Sequence, residues 1–171
     1  MTELVALVPV DELPGDLRAQ WEATRRPGLR DFIRVMAHAP EHFRRYNDAY
    51  GHLRFDNHLG ARLTELVRLA VASTTRCQVC MAGRHPGAVA EGLTEELVAE
   101  IGAPDQPHMI DDERVAVAFA LKLATDHLSI TPEDTAELRA RFTPEQIVEL
   151  GLLSVMCLVG RFSMLAGLEE G

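Results

Sequence analysis

Cys77 and Cys80 stand three residues apart in the stretch 65–92, which reads ELVRLAVASTTRCQVCMAGRHPGAVAEG. At helical spacing both sulfurs share one face of a first turn, which suits a redox dithiol. The free backbone N–H groups of such a turn favour a thiolate at Cys80, and a nearby cation adds to the effect. Arg84 supplies that cation if the helix continues, because i and i+4 share a face. His85, one residue later, points away unless Pro86 and Gly87 distort the helix. Cys77, at the helix edge, is expected to be the more accessible sulfur and the partner that closes a disulfide.

The competing chemistry for C-x-x-C is half of a zinc site. Zinc takes four ligands, typically from a second Cys or His pair at similar spacing. Only His85 is near, and Cys157 sits alone in an apolar VMCLV run as a small hydrophobe. No metal or separate cofactor is therefore expected. His38 and His42 have metal-ligand spacing, but Pro40 between them breaks the helix that would align them.

Glu65 lies twelve residues before Cys77, and a straight helix would hold the two about 18 Å apart. A chain reversal at 74–76 instead brings Glu65 alongside Arg84, where a carboxylate–guanidinium pair would orient the arginine beside Cys80. Arg62 and Arg68 flank Glu65 at helical spacing, and their ordinary reading is a solvated surface ion pair.

The elements that must position these groups are all helical. Leu13, Leu17 and Trp21 predict a helix over 11–26, ended by Pro27 and Gly28. Apolar spacings over 30–50 predict two helices divided at Ala39-Pro40. A polar connection at 51–60 leads to a core helix carrying Leu63, Leu66, Val67, Ala70, Val71 and Thr74. The cysteine helix is predicted over 77–92, capped by Gly92. Thr94 starts a short helix, and 103–108 is a loop with two prolines. A helix over 111–127 has Val115, Ala118, Phe119 and Leu123 as its apolar positions. Thr131-Pro132 and Thr143-Pro144 each start one more, the last running apolar to about 168. Arg161, ending that apolar run, is a candidate for a pocket wall or a helix cap. The expected fold is an all-α single domain over 1–171.

With 17 basic and 26 acidic residues the net charge is −9, which repels nucleic acid and anionic membrane. The N-terminus carries acidic Glu3 and a Pro9 break, unlike a secretory signal. No apolar stretch reads as the roughly 18 to 20 residues that span a bilayer. Three cysteines without an export signal point to a reducing, cytoplasmic compartment.

Glu65 followed after twelve residues by Cys77-Gln78-Val79-Cys80, in an all-α chain, resembles the carboxymuconolactone decarboxylase family in its alkylhydroperoxidase-like (AhpD-like) branch, most densely over 62–92. The resemblance implies an AhpD-like helical bundle and a homo-oligomer, trimer or hexamer. It implies Cys80 as peroxidatic, Cys77 as resolving and Glu65 as a relay glutamate, acting on a small peroxide with an external thiol as reductant. The family pattern has histidine four residues after the second cysteine, where this chain has Arg84, with His85 one later. Arginine stays protonated, so it stabilises a thiolate but does not shuttle a proton. The alternatives are a lactone decarboxylase of the kind that names the family, with Arg84 anchoring an anion, and a non-catalytic oligomeric module whose cysteines sense redox state or clip zinc.

Overall fold

The structure is a computed structural model that describes residues 4–169; Glu3, on which the reading of the N-terminus rests, lies outside them. The helices are α1 (Gly15–Ala23), α2 (Pro27–Met36), α3 (Pro40–Phe55), α4 (Ala61–Thr75), α5 (Gln78–Met81), α6 (Pro86–Ala90), α7 (Glu95–Ala99), α8 (Asp111–Thr125), α9 (Pro132–Arg141), α10 (Pro144–Cys157) and α11 (Val159–Leu165). No strand forms among the described residues, so the fold is all-α as the sequence predicts.

Local chemistry sets the helix starts. The hydroxyls of Thr94, Thr131 and Thr143 each accept from the N–H three residues on, and Asp134 and Gln146 complete reciprocal capping boxes. Pro27 opens α2 instead of closing α1, which already stops at Ala23. A proline at the first helical position gives up only an N–H that has no intrahelical partner.

Helix α4 is the axis of the molecule and packs against α3, α5, α6, α8, α10 and α11. Leu66, Val67, Ala70 and Val71 are fully buried as their spacing predicts, but so are Thr64, Glu65 and Leu69. A helix enclosed on every side has no solvent face for its polar residues. Val67 and Val71 meet Leu150 and Leu153 of α10 and a seam of Ala116, Ala120 and Ala124 on α8. That seam differs from the predicted face of α8. Small side chains at i, i+4 and i+8 let two helix axes approach closely, and the bulkier Val115 and Phe119 fill the flanks.

Two further boundaries differ in ways that matter for the site. Residues 51–55, read as connection, continue α3 to Phe55, and this added turn carries Arg54. The single helix expected over 77–92 is two short ones, because Pro86 starts a new helix with His85 as its cap.

The apolar C-terminal run divides at Leu158 into α10 and α11, and Arg161 reaches the Ala124 carbonyl at the end of α8 as a cap. Contrary to the sequence reading, Pro144–Leu165 is long and apolar enough to cross a membrane by length and composition alone. Here α10 packs on α3, α4, α8 and α9. Its outer side leaves Val148, Leu152 and Val155 exposed. The N-terminal helices close the other side, where Leu13, Leu17, Ile33 and Phe43 form a separate apolar cluster.

Candidate active site

The chain reverses where the sequence predicts. Helix α4 ends at Thr75, Arg76 takes a left-handed conformation (φ 56°), and Cys77 becomes the N-cap of α5. Cys77 and Cys80 are joined as a disulfide, and the Cys80 N–H donates to the Cys77 sulfur at 3.2 Å. The two sulfurs are unequal, but in the opposite sense to the expected accessibility. Cys77 is fully buried among Val35, Val79, Ala166 and Leu168, whereas Cys80 is half-buried and lies on the wall of a cavity of about 200 Å³. The bonded sulfurs share one face of the turn, with Cys77, the cap, on its core side and Cys80 on its cavity side.

Close packing from α11 holds this pair in place. A Cβ at Gly160 would lie 2.7 Å from Thr75 Oγ1, 3.1 Å from Cys80 Sγ and 3.2 Å from Cys77 Cβ. Only glycine lets the α11 backbone come this close to the cysteines.

Beneath the cysteines lies a buried ion network. The Glu65 carboxylate receives Arg68 Nε at 2.8 Å and Nη2 at 2.7 Å. It also accepts the His85 N–H at 3.0 Å and, more distantly, Arg54 Nη2 at 3.3 and 3.4 Å. Arg68 Nη1 donates to the Cys80 carbonyl and Nη2 to the Gly83 carbonyl at 2.9 Å. One carboxylate thus fixes an arginine that holds both ends of the cysteine turn. Burial pushes the Glu65 carboxyl up, but the hydrogen bonds and charge of Arg68, with Arg54 and the His85 N–H, more than offset this and hold it below the ordinary range.

The pairing of Glu65 with Arg84 does not form. Helix α5 ends at Met81, so Arg84 is not on a shared face with Cys80; its guanidinium binds Glu95 at 2.9 Å and the Met81 and Gly83 carbonyls. His85 caps α6, its Nδ1 accepting from the Ala88 N–H at 3.3 Å, and its ring lies 4.9 Å from that of Phe55. The cations that reach Glu65 are Arg68, read from sequence as solvated, and Arg54, hidden in the supposed connection; Arg26 also lines the cavity and donates to the Val79 carbonyl. One signal was available. In ELVRLAVA every residue after Glu65 up to Ala72 other than Arg68 is apolar, which leaves this part of the helix no polar stripe to face solvent.

Cys157 is buried, with its thiol pushed up to about 11 by burial, and it stays protonated at neutral pH. A larger groove of about 420 Å³ between α8 and α9 carries no cysteine or histidine, and its cations Arg114, Lys122 and Arg141 are paired with Asp111, Asp134 and Asp112.

A buried, ion-braced C-x-x-C thus lies at a chain reversal within a helical bundle. The model of the carboxymuconolactone decarboxylase family matches residues 40–124, and the chain belongs to this family. Among solved structures it is similar to the alkylhydroperoxidase AhpD core of a peroxidase-related protein from Ralstonia eutropha JMP134, with 18% identity and TM-score 0.77 over 100% of this chain and 93% of that one. A peroxidase-related protein from Silicibacter sp. TM1040 gives 16% identity and TM-score 0.77 over the same shares. The debrominase Bmp8, solved in complex with 2,3,4-tribromopyrrole, gives 16% identity and TM-score 0.75, again over 100% and 93%. At such identities the likeness is one of fold. No curated protein matches the sequence.

Proposed function

We propose that the protein is a thiol-dependent peroxidase that reduces hydroperoxides through Cys80 and Cys77. The observation that carries this reading is the unequal burial of the pair, with Cys80 on a cavity wall and Cys77 enclosed behind it. In the reduced protein the Cys80 thiolate attacks the distal oxygen of ROOH, breaking the O–O bond to give Cys80 sulfenic acid and an alkoxide that is released as ROH. The Cys77 sulfur then displaces water to form the disulfide. Two equivalents of an external thiol restore the dithiol by exchange. Arg68, tethered to the Cys80 carbonyl, supplies positive charge that favours the thiolate. The Cys80 N–H favours thiolate character at Cys77 when it attacks.

Glu65 acts here as a brace. Its oxygens are occupied by Arg68, Arg54 and the His85 N–H and its pKa is lowered, so it is a poor proton carrier. Arg84 and His85 hold the following turn. In the test, peroxide-dependent consumption of dithiothreitol is present in wild type and absent in Cys80→Ser. Cys77→Ser undergoes one oxidation and accumulates a sulfenic acid that dimedone traps. Turnover in Cys80→Ser equal to wild type would overturn the assignment.

A second reading draws on the aromatic lining of the cavity and the similarity to a debrominase. Reductive dehalogenation would use the same dithiol, with Ar–X and two thiols giving ArH, HX and the disulfide. Anaerobic halide release from a bromopyrrole, without peroxide, separates the two.

We assign the outer face of α10 to contact with further copies of this chain, in a cytoplasmic homo-oligomer. Light scattering is expected to give an oligomer for wild type and a smaller species for Leu152→Glu. Unfolding stability of the variant subunit should change by only about 0.5 kcal/mol, as is usual for an exposed site. An unchanged mass would rule this face out.

A further inference from the structure

The cavity beside Cys80 is several times larger than hydrogen peroxide, with room for roughly six water-sized groups. Its lining includes the rings of Phe32, Phe43, Tyr46 and Tyr50, a surface that stacks on an apolar or aromatic body and gains nothing from a bare peroxide. Phe32 lies outside the family-matched span of 40–124, so part of this lining is supplied by the chain's own N-terminal helices.

Three guanidinium groups reach the same cavity, those of Arg26, Arg54 and Arg68, and their commitments differ, with Arg26 Nη2 donating to the Val79 carbonyl. Every nitrogen of Arg68 is spent on Glu65 or on the carbonyls of Cys80 and Gly83. Arg54 makes two long hydrogen bonds to Glu65 and lies over the Phe55 ring, 5.1 Å from its centroid, and its Nε is buried with no hydrogen-bond partner among the described residues. An unpaired buried donor is costly in the empty site and becomes a gain when an acceptor arrives. Counting Arg26, Arg54, Arg68 and Glu65, three positive charges face one negative, in a chain whose net charge is −9. This local excess of positive charge is unmatched by the rest of the network.

We infer that the cavity takes a single-ring or similarly compact apolar substrate bearing one carboxylate, and that Arg54 recognises the carboxylate. The inference rests on Cys80 being the reacting sulfur, because the substrate would be a hydroperoxide of that class. Arg54, at the end of α3, holds the anion by charge-assisted hydrogen bonds, while the rings of α2 and α3 enclose the apolar body.

The test measures binding without turnover. Calorimetry on the reduced protein compares 4-isopropylbenzoate with its neutral isostere 4-isopropylbenzamide. Wild type is expected to favour the carboxylate by roughly tenfold or more, as one charge-assisted hydrogen bond implies. The ratio should fall toward one in Arg54→Gln and be partly kept in Arg54→Lys. In wild type the carboxylate should also slow alkylation of Cys80 by iodoacetamide. Equal affinities in wild type, an unchanged ratio in Arg54→Gln, or binding without protection of Cys80 would each overturn the inference. The wild-type comparison and the protection experiment decide it even if the variant fails to fold. A carboxylate preference without peroxide turnover would remove the peroxidase reading and leave the recognition intact. Turnover without a preference would do the reverse.

Discussion

Glu65→Gln is expected to lower stability in urea unfolding by about 3–5 kcal/mol, the range for breaking a buried ion pair by removing one partner. The loss follows from what Glu65 satisfies. It is fully buried, and without its charge Arg68 is left as an uncompensated cation in the core. Replacing both partners, as in Glu65→Leu/Arg68→Met, should recover most of that loss, since a buried ion pair often has a neutral net balance against an apolar pair. The double variant should still be a poor enzyme, because nothing would then hold the Cys80 and Gly83 carbonyls. A loss in Glu65→Gln below about 1 kcal/mol, the size of an ordinary surface change or single hydrogen bond, would show that the network does not brace the fold.

The pH dependence has a definite sign. The folded Glu65 carboxyl is lowered from an ordinary value of 4.5, so around that pH the unfolded chain binds the extra proton. The stability Glu65 contributes is complete above the ordinary value and drains away as pH falls through the lowered folded one. Acid unfolding curves of wild type should contain this component, and those of Glu65→Gln should lack it.

Gly160→Ala carries the second large expectation. The added methyl would press on Thr75 Oγ1 and on both cysteines. Overpacking of this kind costs about 1–3 kcal/mol, and a displaced Cys80 should lose roughly ten- to hundredfold in its rate of reaction with peroxide. Stopped-flow oxidation of the reduced protein reads the second effect separately from stability. A variant equal to wild type in both would mean that α11 does not confine the cysteine turn.

Much of the scaffold was legible because it is written in local chemistry. Thr131 and Thr143 announce their helices through a hydroxyl, a proline and a polar residue within four positions. The reversal after Thr75 was legible as well, since the stripe of α4 stops there. The cation identities were not. Arg84 was placed by continuing a helix that Pro86 does not allow, and Arg54 was lost because a polar sequence over 51–60 reads as connection although 51–55 continues α3. Arg68 shows a different limit. A charge buried by contacts remote in sequence looks like any surface charge until its surroundings are known. The ranking of Cys77 and Cys80 by exposure failed for the same reason, because Ala166 and Leu168, which help cover Cys77, lie far along the chain.

The disulfide has one further consequence for how the molecule works. Its sulfurs are separated by only three positions in sequence, and closing so short a loop removes little chain entropy from the unfolded state compared with a long-range bridge. The bundle is held by the packing around α4, so reduction leaves the architecture standing. A bond that spanned distant helices would tie the oxidation state to the folded state, and each cycle would risk the fold. Under the proposed function, the bond can then open and close as a reagent, with the rest of the molecule as a fixed bench around it.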